Sequence, residues 1–335
     1  MAHAPNLEGA KVLCTTQGRG QMADILANLN PDRHVTLAFF DHYQMTESAP
    51  FHQANAGRVE LVCQADLPQT GFDLVCQPLN AKGDKEFTRD VMQQAFLSLR
   101  EGGEMVTAVD QYRDHWLHEE MKKYFEKVTR LVVGKKGVVY QAKKKGTVKK
   151  VKDHSAESAF RLGETLVTLM TKPGVFSHRQ VDGGARALIK AMDVQVGMNV
   201  LDVGCGGGAV GIAAGLSAEG VSVHAVDSNP RAVQCSLLNA QRAGLTEYTC
   251  ELDSTGASVK AGTFDLVLAN PPYFSNYRIA EIFLEVSNRA LKKKGKLLLV
   301  TKAPNWYTEN LPESMEHTEA ESIGGYQVLV FKKVK

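Results

Sequence analysis

No stretch of this sequence approaches the ~20 successive apolar residues that a membrane-spanning helix needs. Residues Met1 to Pro5 show neither a basic start nor an apolar run, so no export signal and no membrane association are expected. Cysteine is sparse and scattered: Cys14, Cys63, Cys76, Cys205, Cys235 and Cys250 form no C-x-x-C pair, and several sit inside apolar runs. They read as reduced core residues of a cytoplasmic protein, not as a disulfide frame. The ten histidines never fall at a ligand spacing such as H-E-x-x-H, so no metal is expected. Charge of one sign is also lacking, since the net charge is only +2, but its distribution is uneven. Between Arg130 and Lys152 stand nine basic residues and no acidic one. Such a stretch suits a phosphate backbone, and equally a solvated strand edge running into a linker.

What is present is a soluble, globular composition, 44% apolar and 23% charged, over 335 residues, enough for two domains with full cores. Read in order, 10–17 is a short buried strand ending at Gly18-Arg19-Gly20, followed by a helix over 22–29. Strands are expected at 34–40, 59–63 and 72–76, the last stopping at Gln77-Pro78. A helix over 87–99 leads to a strand at 104–109. After an amphipathic stretch, 116–125, the segments 129–133 and 137–142 suggest an antiparallel closing pair. The β-α-β order favours a mainly parallel, doubly wound sheet. The second half repeats the plan. Residues 199–203 match 11–15, Phe264-Asp265-Leu266-Val267 matches Phe72-Asp73-Leu74-Val75 residue for residue, 291–300 matches 99–109, and 326–332 echoes 139–145. Between the copies, 152–158 is expected as linker, 160–170 as a hairpin around Gly163, and 182–191 as a helix, with Phe176 and Ser177 near the mouth of the second sheet.

The copies differ at their strand ends. The second has Asp202 ahead of Gly204-x-Gly206-x-Gly208, and Asn270-Pro271-Pro272-Tyr273 after its fourth strand; the first has Cys14 with Gly18-x-Gly20, and Gln77-Pro78-Leu79-Asn80. A planar Asn amide beside a proline carbonyl can accept both hydrogens of a planar amino group, and Tyr273 can stack on the ring that bears it. The prolines hold Asn270 extended and rigid. The plainer reading is a proline-rich turn closing a strand. Gly206-x-Gly208-x-x-Gly211 satisfies the dinucleotide fingerprint, so a nicotinamide oxidoreductase has to be weighed. Against it stands Asp202, which would repel a pyrophosphate on the helix N-terminus and welcome a cation. Asp227, ending the next strand, can grip ribose hydroxyls in either kind of site. Asp253, after the third strand, can accept an adenine amino group.

Together these residues resemble the ribosomal RNA small-subunit guanine-N2 methyltransferase family. Pro173-Gly174-Val175-Phe176-Ser177 with Val181-Asp182-Gly183-Gly184 is similar to its P-G-V-F-S…L-D-x-G segment. Leu201-Asp202-Val203-Gly204-Cys205-Gly206 and Asn270-Pro271-Pro272 match its remaining signatures. The resemblance covers 172–335 and, through the duplication, nearly the whole chain. It implies an α/β chain of two tandem Rossmann-like class I methyltransferase domains, each a mainly parallel doubly wound sheet with an antiparallel closing strand. Residues 1–150 would be a degenerate, non-catalytic domain for RNA binding or support, and 151–335 the catalytic domain. It implies S-adenosylmethionine as cofactor, held by Phe176, Ser177, Asp202, Gly204, Cys205, Gly206, Gly208, Asp227, Ser228, Asp253 and Asn270. Asn270, Pro271, Pro272 and Tyr273 would present the N2 amino group of a guanine in ribosomal RNA, foremost 16S. Ribosomal RNA or the small ribosomal subunit is the implied partner, of a cytoplasmic monomer. One departure stands out: the family's aromatic-then-His after the prolines is here Tyr273-Phe274, so contacts beyond the amino group are expected to differ. Within the same class, the alternatives are another RNA base, large-subunit RNA or a protein glutamine. From other classes, an NAD(P)-dependent oxidoreductase and an RNA-binding module without catalysis remain.

Overall fold

The structure, a computed structural model, describes residues 7–148, 150–272 and 277–335. Tyr273 and Phe274 therefore lie outside the described residues, as does Lys149 of the basic stretch. The chain divides into two compact units, Met1–His154 and Ser155–Lys335.

The first unit contains β1 (Lys11–Thr15), α1 (Gln21–Leu29), β2 (His34–Phe39), α2 (His42–Ser48), β3 (Val59–Cys63), β4 (Phe72–Leu79), α3 (Lys85–Ser98), β5 (Leu99–Val109), α4 (Trp116–Met121), β6 (Val128–Gly134) and β7 (Gly137–Lys143). Its sheet runs β3-β2-β1-β4-β5-β7-β6, parallel through β5, with β7 antiparallel to both its neighbours. Val12, Leu13 and Cys14 of β1 are fully buried, because helices cover both faces of a parallel sheet and apolar side chains must point both ways.

The second unit opens with a hairpin, β8 (Ala156–Leu162) and β9 (Thr165–Thr171). It continues through α5 (Gly183–Ala191), β10 (Asn199–Val203), α6 (Ala209–Ser217), β11 (Ser222–Asp227), α7 (Pro230–Arg242), β12 (Tyr248–Leu252), β13 (Phe264–Ala269), α8 (Arg278–Ala290), β14 (Leu291–Thr301), α9 (Pro304–Glu309), β15 (Met315–Ile323) and β16 (Tyr326–Lys333). The order β12-β11-β10-β13-β14-β16-β15 reproduces that of the first unit. Two large apolar clusters, one on each face, make up most of its core, with a smaller one around Val175, Ala232 and Cys235. Leu188, Ile212 and Leu268 belong to one, and Leu201, Val267 and Phe331 to the other.

The repeated Phe-Asp-Leu-Val performs the same task twice. Asp73 accepts the backbone N–H of Lys11 at 2.8 Å and pairs with Arg100 at the head of β5. Asp265 accepts that of Asn199 at 2.9 Å and pairs with Lys292 at the head of β14. Each aspartate thus ties the start of the central strand to the fifth, and each fourth strand slips register by the same bulge just after its Phe.

Three expectations need correction. β4 does not stop at Gln77-Pro78 but runs to Leu79, pairing Pro78 with Ala108 of β5. Its pairing with β1 has already ended at Cys76, so Pro78 has one neighbour only, and a missing N–H is tolerated there. β13, by contrast, ends at Ala269, ahead of two consecutive prolines. Second, the hairpin begins at Ala156 and takes up part of the expected linker. Third, α2 was not foreseen; Asp41 caps it, accepting the N–H groups of Tyr43 and Gln44, but its residues carry no apolar stripe to announce a helix.

Candidate functional site

In the second sheet β10 pairs with β11 on one side and β13 on the other, so strand order reverses at β10. Open α/β sheets bind ligands in the crevice that such a reversal leaves at the carboxyl ends of the strands. The loop from β10 to α6 fills one side of it. Gly204 N–H and Cys205 N–H both donate to the Val226 carbonyl, at 2.8 and 3.1 Å, and Gly206 N–H donates to Asp227 Oδ2 at 2.8 Å. Gly204 has φ +71°, and a Cβ there would lie 2.6 Å from the Phe283 ring. Both the left-handed backbone and the close packing therefore require glycine. Gly208 caps α6.

Asp202 is 3% exposed, and its Oδ2 accepts the Gly211 N–H at 2.8 Å. Burial pushes its carboxyl up to about 7; the Gly211 hydrogen bond opposes the rise and the charge of Asp227 adds to it. Asp227 uses its other oxygen, Oδ1, to accept the Asn229 N–H at 2.8 Å. The N-terminus of α7 then anchors the segment facing the loop: Asn229 Nδ2 donates to the Gly174 carbonyl and Arg231 Nη1 to that of Pro173, each at 2.7 Å. Phe176 is thereby left 55% exposed, and Ser177 takes φ +58°.

Phe176, Ser177, Asp202, Gly204, Cys205, Gly206 and Asn270 line one cleft. The structure thus brings together seven of the residues singled out from the sequence, drawn from three separate segments. Gly208, Asp227, Ser228 and Asp253 stand outside that lining, Asp227 being joined to it through Gly206. Asp253 has another task. Its Oδ1 accepts Thr255 N–H, Thr255 Oγ1–H and Gly256 N–H, and its Oδ2 accepts Ser258 N–H and Ser258 Oγ–H. Five donors of its own turn thus meet the carboxylate that is expected to face an adenine amino group, nearly filling its roughly four acceptor sites. Burial alone would raise its pKa, but these bonds, led by those of Ser258, hold it down at about 2.

Asn270 follows β13, with Pro271 buried and Pro272 half-buried behind it. Its Nδ2 donates to Asp182 Oδ2 at 3.0 Å. Asp182 lines the same cleft and caps α5, yet its sequence gave it no role in the site, since the contact joins residues 88 apart. Also unforeseen is an aromatic pair at this edge of the sheet: Tyr277, preceding α8, stacks on Trp306 of α9 with ring centroids 4.6 Å apart. Among the described residues no group of His, Cys, Asp or Glu is arranged to hold a metal, and no helix is long and apolar enough to cross a membrane.

The corresponding loop of the first unit is built otherwise. Cys14 stands beside Cys76 in the register where Asp202 faces Leu268, and Thr16 Oγ1 closes the loop by accepting the N–H groups of Gly18 and Gly20. His52 Nε2 lies 2.7 Å from the Arg19 carbonyl, and its Nδ1 lies 2.7 Å from Asp24 Oδ2, so side chains of the unit itself occupy the loop's contacts.

The chain is similar to several known proteins. The model of the methyltransferase small domain family matches residues 166–330. The uncharacterized protein YbxB of Bacillus subtilis is 33% identical over 193 residues, 55% of this chain and 94% of that protein. Ribosomal RNA small subunit methyltransferase C of Pseudoalteromonas atlantica is 30% identical over 151 residues, 44% of this chain and 43% of that one; its counterpart in Chromohalobacter salexigens is 32% identical over 159 residues, 44% and 46%. The match thus spans less than half the length of these two enzymes. Among solved structures, the T. thermophilus 16S rRNA N2 G1207 methyltransferase (RsmC), in complex with AdoMet and guanosine, superposes with a TM-score of 0.80 over 100% of this chain and 91% of its own, at 18% identity, a likeness of fold.

Proposed function

The chain belongs to the methyltransferase small domain family, and from that premise we propose that its second unit transfers a methyl group from S-adenosylmethionine to the exocyclic N2 amino group of a guanine in ribosomal RNA, foremost 16S. The observation that carries this reading is that Asn270, with its amide end fixed by Asp182, lines the same cleft as the glycine-rich loop.

The donor set suits a cationic cofactor. A buried carboxylate, Asp202, stands where a phosphate-binding loop would need positive potential, and its high pKa means that ionising it without a cation nearby costs free energy. Asp202, Gly204, Cys205 and Gly206 would hold S-adenosylmethionine, with Phe176 and Ser177 across the cleft. When bound, it supplies a methyl group activated on a sulfonium. The guanine amino nitrogen is a weak nucleophile because its lone pair is delocalised into the ring. Hydrogen bonds from that amino group to Asn270 Oδ1 and the Pro271 carbonyl favour a pyramidal nitrogen whose lone pair faces the methyl. No strong base would be needed, because the amino nitrogen would be cationic once methylated and would release its proton to water. The chain's contribution is orientation. A stacked guanine must leave its helix to reach the cleft, and Tyr273 is assigned to stack on it and offset part of the few kcal/mol this costs.

The first unit, lacking an acid at the position of Asp202 and the Asn-Pro-Pro-Tyr run, is assigned to RNA binding or support. The test has two steps. S-adenosylmethionine, and not NADH, should raise the melting temperature; the reverse would make the chain an oxidoreductase. RNA methylated by the protein, digested to nucleosides, should yield N2-methylguanosine. A methylated adenosine, or label on a protein glutamine, would replace the substrate, and no binding of either cofactor would leave an RNA-binding module.

A further inference from the structure

Asp182 Oδ2 does two things at once. It accepts the N–H groups of Gly184 at 2.8 Å and Ala185 at 3.3 Å, the ordinary duty of a helix N-cap, and it also accepts the side-chain N–H of Asn270. We propose that Asp182 is a positioning residue for the transfer reaction, setting which end of the Asn270 amide meets the substrate's amino group. The inference rests on the functional reading above.

An ionised carboxylate has acceptors and no donor, so the end of the amide turned toward it must be the NH2 group. The oxygen, on the other branch of the planar amide, is then directed away from Asp182. Only that arrangement offers an acceptor to an amino group. The opposite one sets two donors against each other. The last torsion of an asparagine side chain is broad and nearly two-fold, so the backbone alone does not choose between them. The hydrogen bond to the acceptor oxygen of Asp182 does.

Asp182 is itself well anchored. A Cβ at Gly183 would lie 2.8 Å from the Tyr326 ring, so the first turn of α5 is pressed against β16, and the carboxylate rides on that turn. Asn270 is restrained from its other side, since the residue preceding a proline is confined to extended backbone. Donor and acceptor therefore sit on two stiff elements, as a site requiring near-attack geometry demands.

Two substitutions at 182 test the assignment. Asp182→Ser keeps a capping hydroxyl but ends one atom short of the carboxylate oxygen, and its O–H can donate as well as accept. It should lower kcat roughly ten- to hundredfold, the scale of a catalytic group misplaced by about 1 Å, with Kd for S-adenosylmethionine and Tm unchanged. Asp182→Asn retains an acceptor oxygen for both the cap and the Asn270 N–H, and should recover most of kcat. Wild-type turnover in Asp182→Ser overturns the proposal, as does an equal loss in Asp182→Asn, which would make the charge and not the acceptor the essential feature. Should the serine variant not fold, the Asn270 side-chain amide resonances, assigned by their loss in Asn270→Ala, read the bond directly. Slow exchange with solvent in the wild type supports it, and free exchange overturns it. A wild-type protein that transfers no methyl group sinks the functional reading alone, because those resonances still report whether the bond exists.

Discussion

Asp202 Oδ2 lies 2.8 Å from the backbone nitrogen of Gly211, and the Cβ of any other residue at 211 would come within 2.9 Å of the same oxygen. The acid is therefore clamped between the end of β10 and the first turns of α6, out of water and with a single N–H as its visible compensation. A carboxylate held this way binds a proton up to about pH 7. Its discomfort when ionised makes it useful, since a cation placed beside it restores what burial removed.

The first prediction concerns cofactor affinity. Binding a sulfonium or ammonium near Asp202 favours the ionised form, so a proton must leave when binding occurs below pH 7. Affinity for S-adenosylmethionine should rise with pH up to about 7 and then level off. Asp202→Asn should bind more weakly and show no such rise. Calorimetric titrations between pH 5 and 8 in buffers of differing ionisation enthalpy would detect the released proton. An affinity independent of pH in the wild type would exclude Asp202 from cation binding.

The same shift predicts a stability profile without ligand. A group whose pKa is raised on folding contributes stability that is complete below its unfolded value of 3.8 and is lost as pH climbs through about 7. Asp202→Asn, which keeps an acceptor for the Gly211 N–H, should therefore be more stable than the wild type above pH 7, by a few kcal/mol at most. The gap should close toward pH 4. Urea unfolding across that range decides it, and a variant less stable at neutral pH would contradict the assignment.

How much of this was legible beforehand follows from the range of each signal. The alternation of apolar strands, the glycines after Asp202 and the prolines after Asn270 are local marks, and the repeat of Phe-Asp-Leu-Val locates β4 and β13 without any coordinates. Asp253 also carried a local mark that went unread: Asp-Ser-Thr-Gly is a turn sequence whose side-chain oxygen serves its own backbone. The Asp182 to Asn270 contact carried none. It exists only because a helix cap and a strand end meet across the cleft, and neither residue's neighbours announce the other.

The third prediction follows from the hydrogen bonds of Asp253. Asp253→Asn places an NH2 group opposite at least one N–H donor, leaving two donors facing each other at a buried position, which costs about 1–3 kcal/mol. Because the native pKa is depressed to about 2, the wild-type contribution is present above 3.8 and disappears as pH falls through 2. Chemical denaturation of both proteins at pH 7 should show the difference. A variant of native stability but with much weaker cofactor binding would instead place Asp253 at the adenine site.

The basic stretch gives a fourth. Lys144 is committed to the fold, its Nζ bonded to the Leu99 carbonyl at 2.6 Å and set 4.8 Å from the Phe96 ring centre. Lys135, Lys136 and Lys150 are exposed, the first two beside β6 at the sheet's outer edge. If they neutralise RNA phosphates, changing all three to Glu should weaken RNA binding and reduce the slope of log affinity against log salt by roughly 2. An unchanged slope would leave them as edge protection, and Lys144→Ala should lower Tm without changing that slope.

The last prediction separates presentation of the substrate from assembly of the pocket. Asn270→Ala removes the acceptor for the amino group but touches none of the backbone that holds the glycine-rich loop, so the Kd for S-adenosylmethionine should stay within the wild-type range. Turnover should fall by at least about a hundredfold, corresponding to roughly 3 kcal/mol of lost orientation at the transition state. Asn270→Asp is the sharper variant. It sets a second carboxylate at the 3.0 Å contact with Asp182, where two like charges repel, so it should be less stable than Asn270→Ala at neutral pH. Melting curves of the two variants at neutral pH measure this without any substrate, and an Asn270→Asp protein as stable as Asn270→Ala would mean that Asp182 and residue 270 are not in contact.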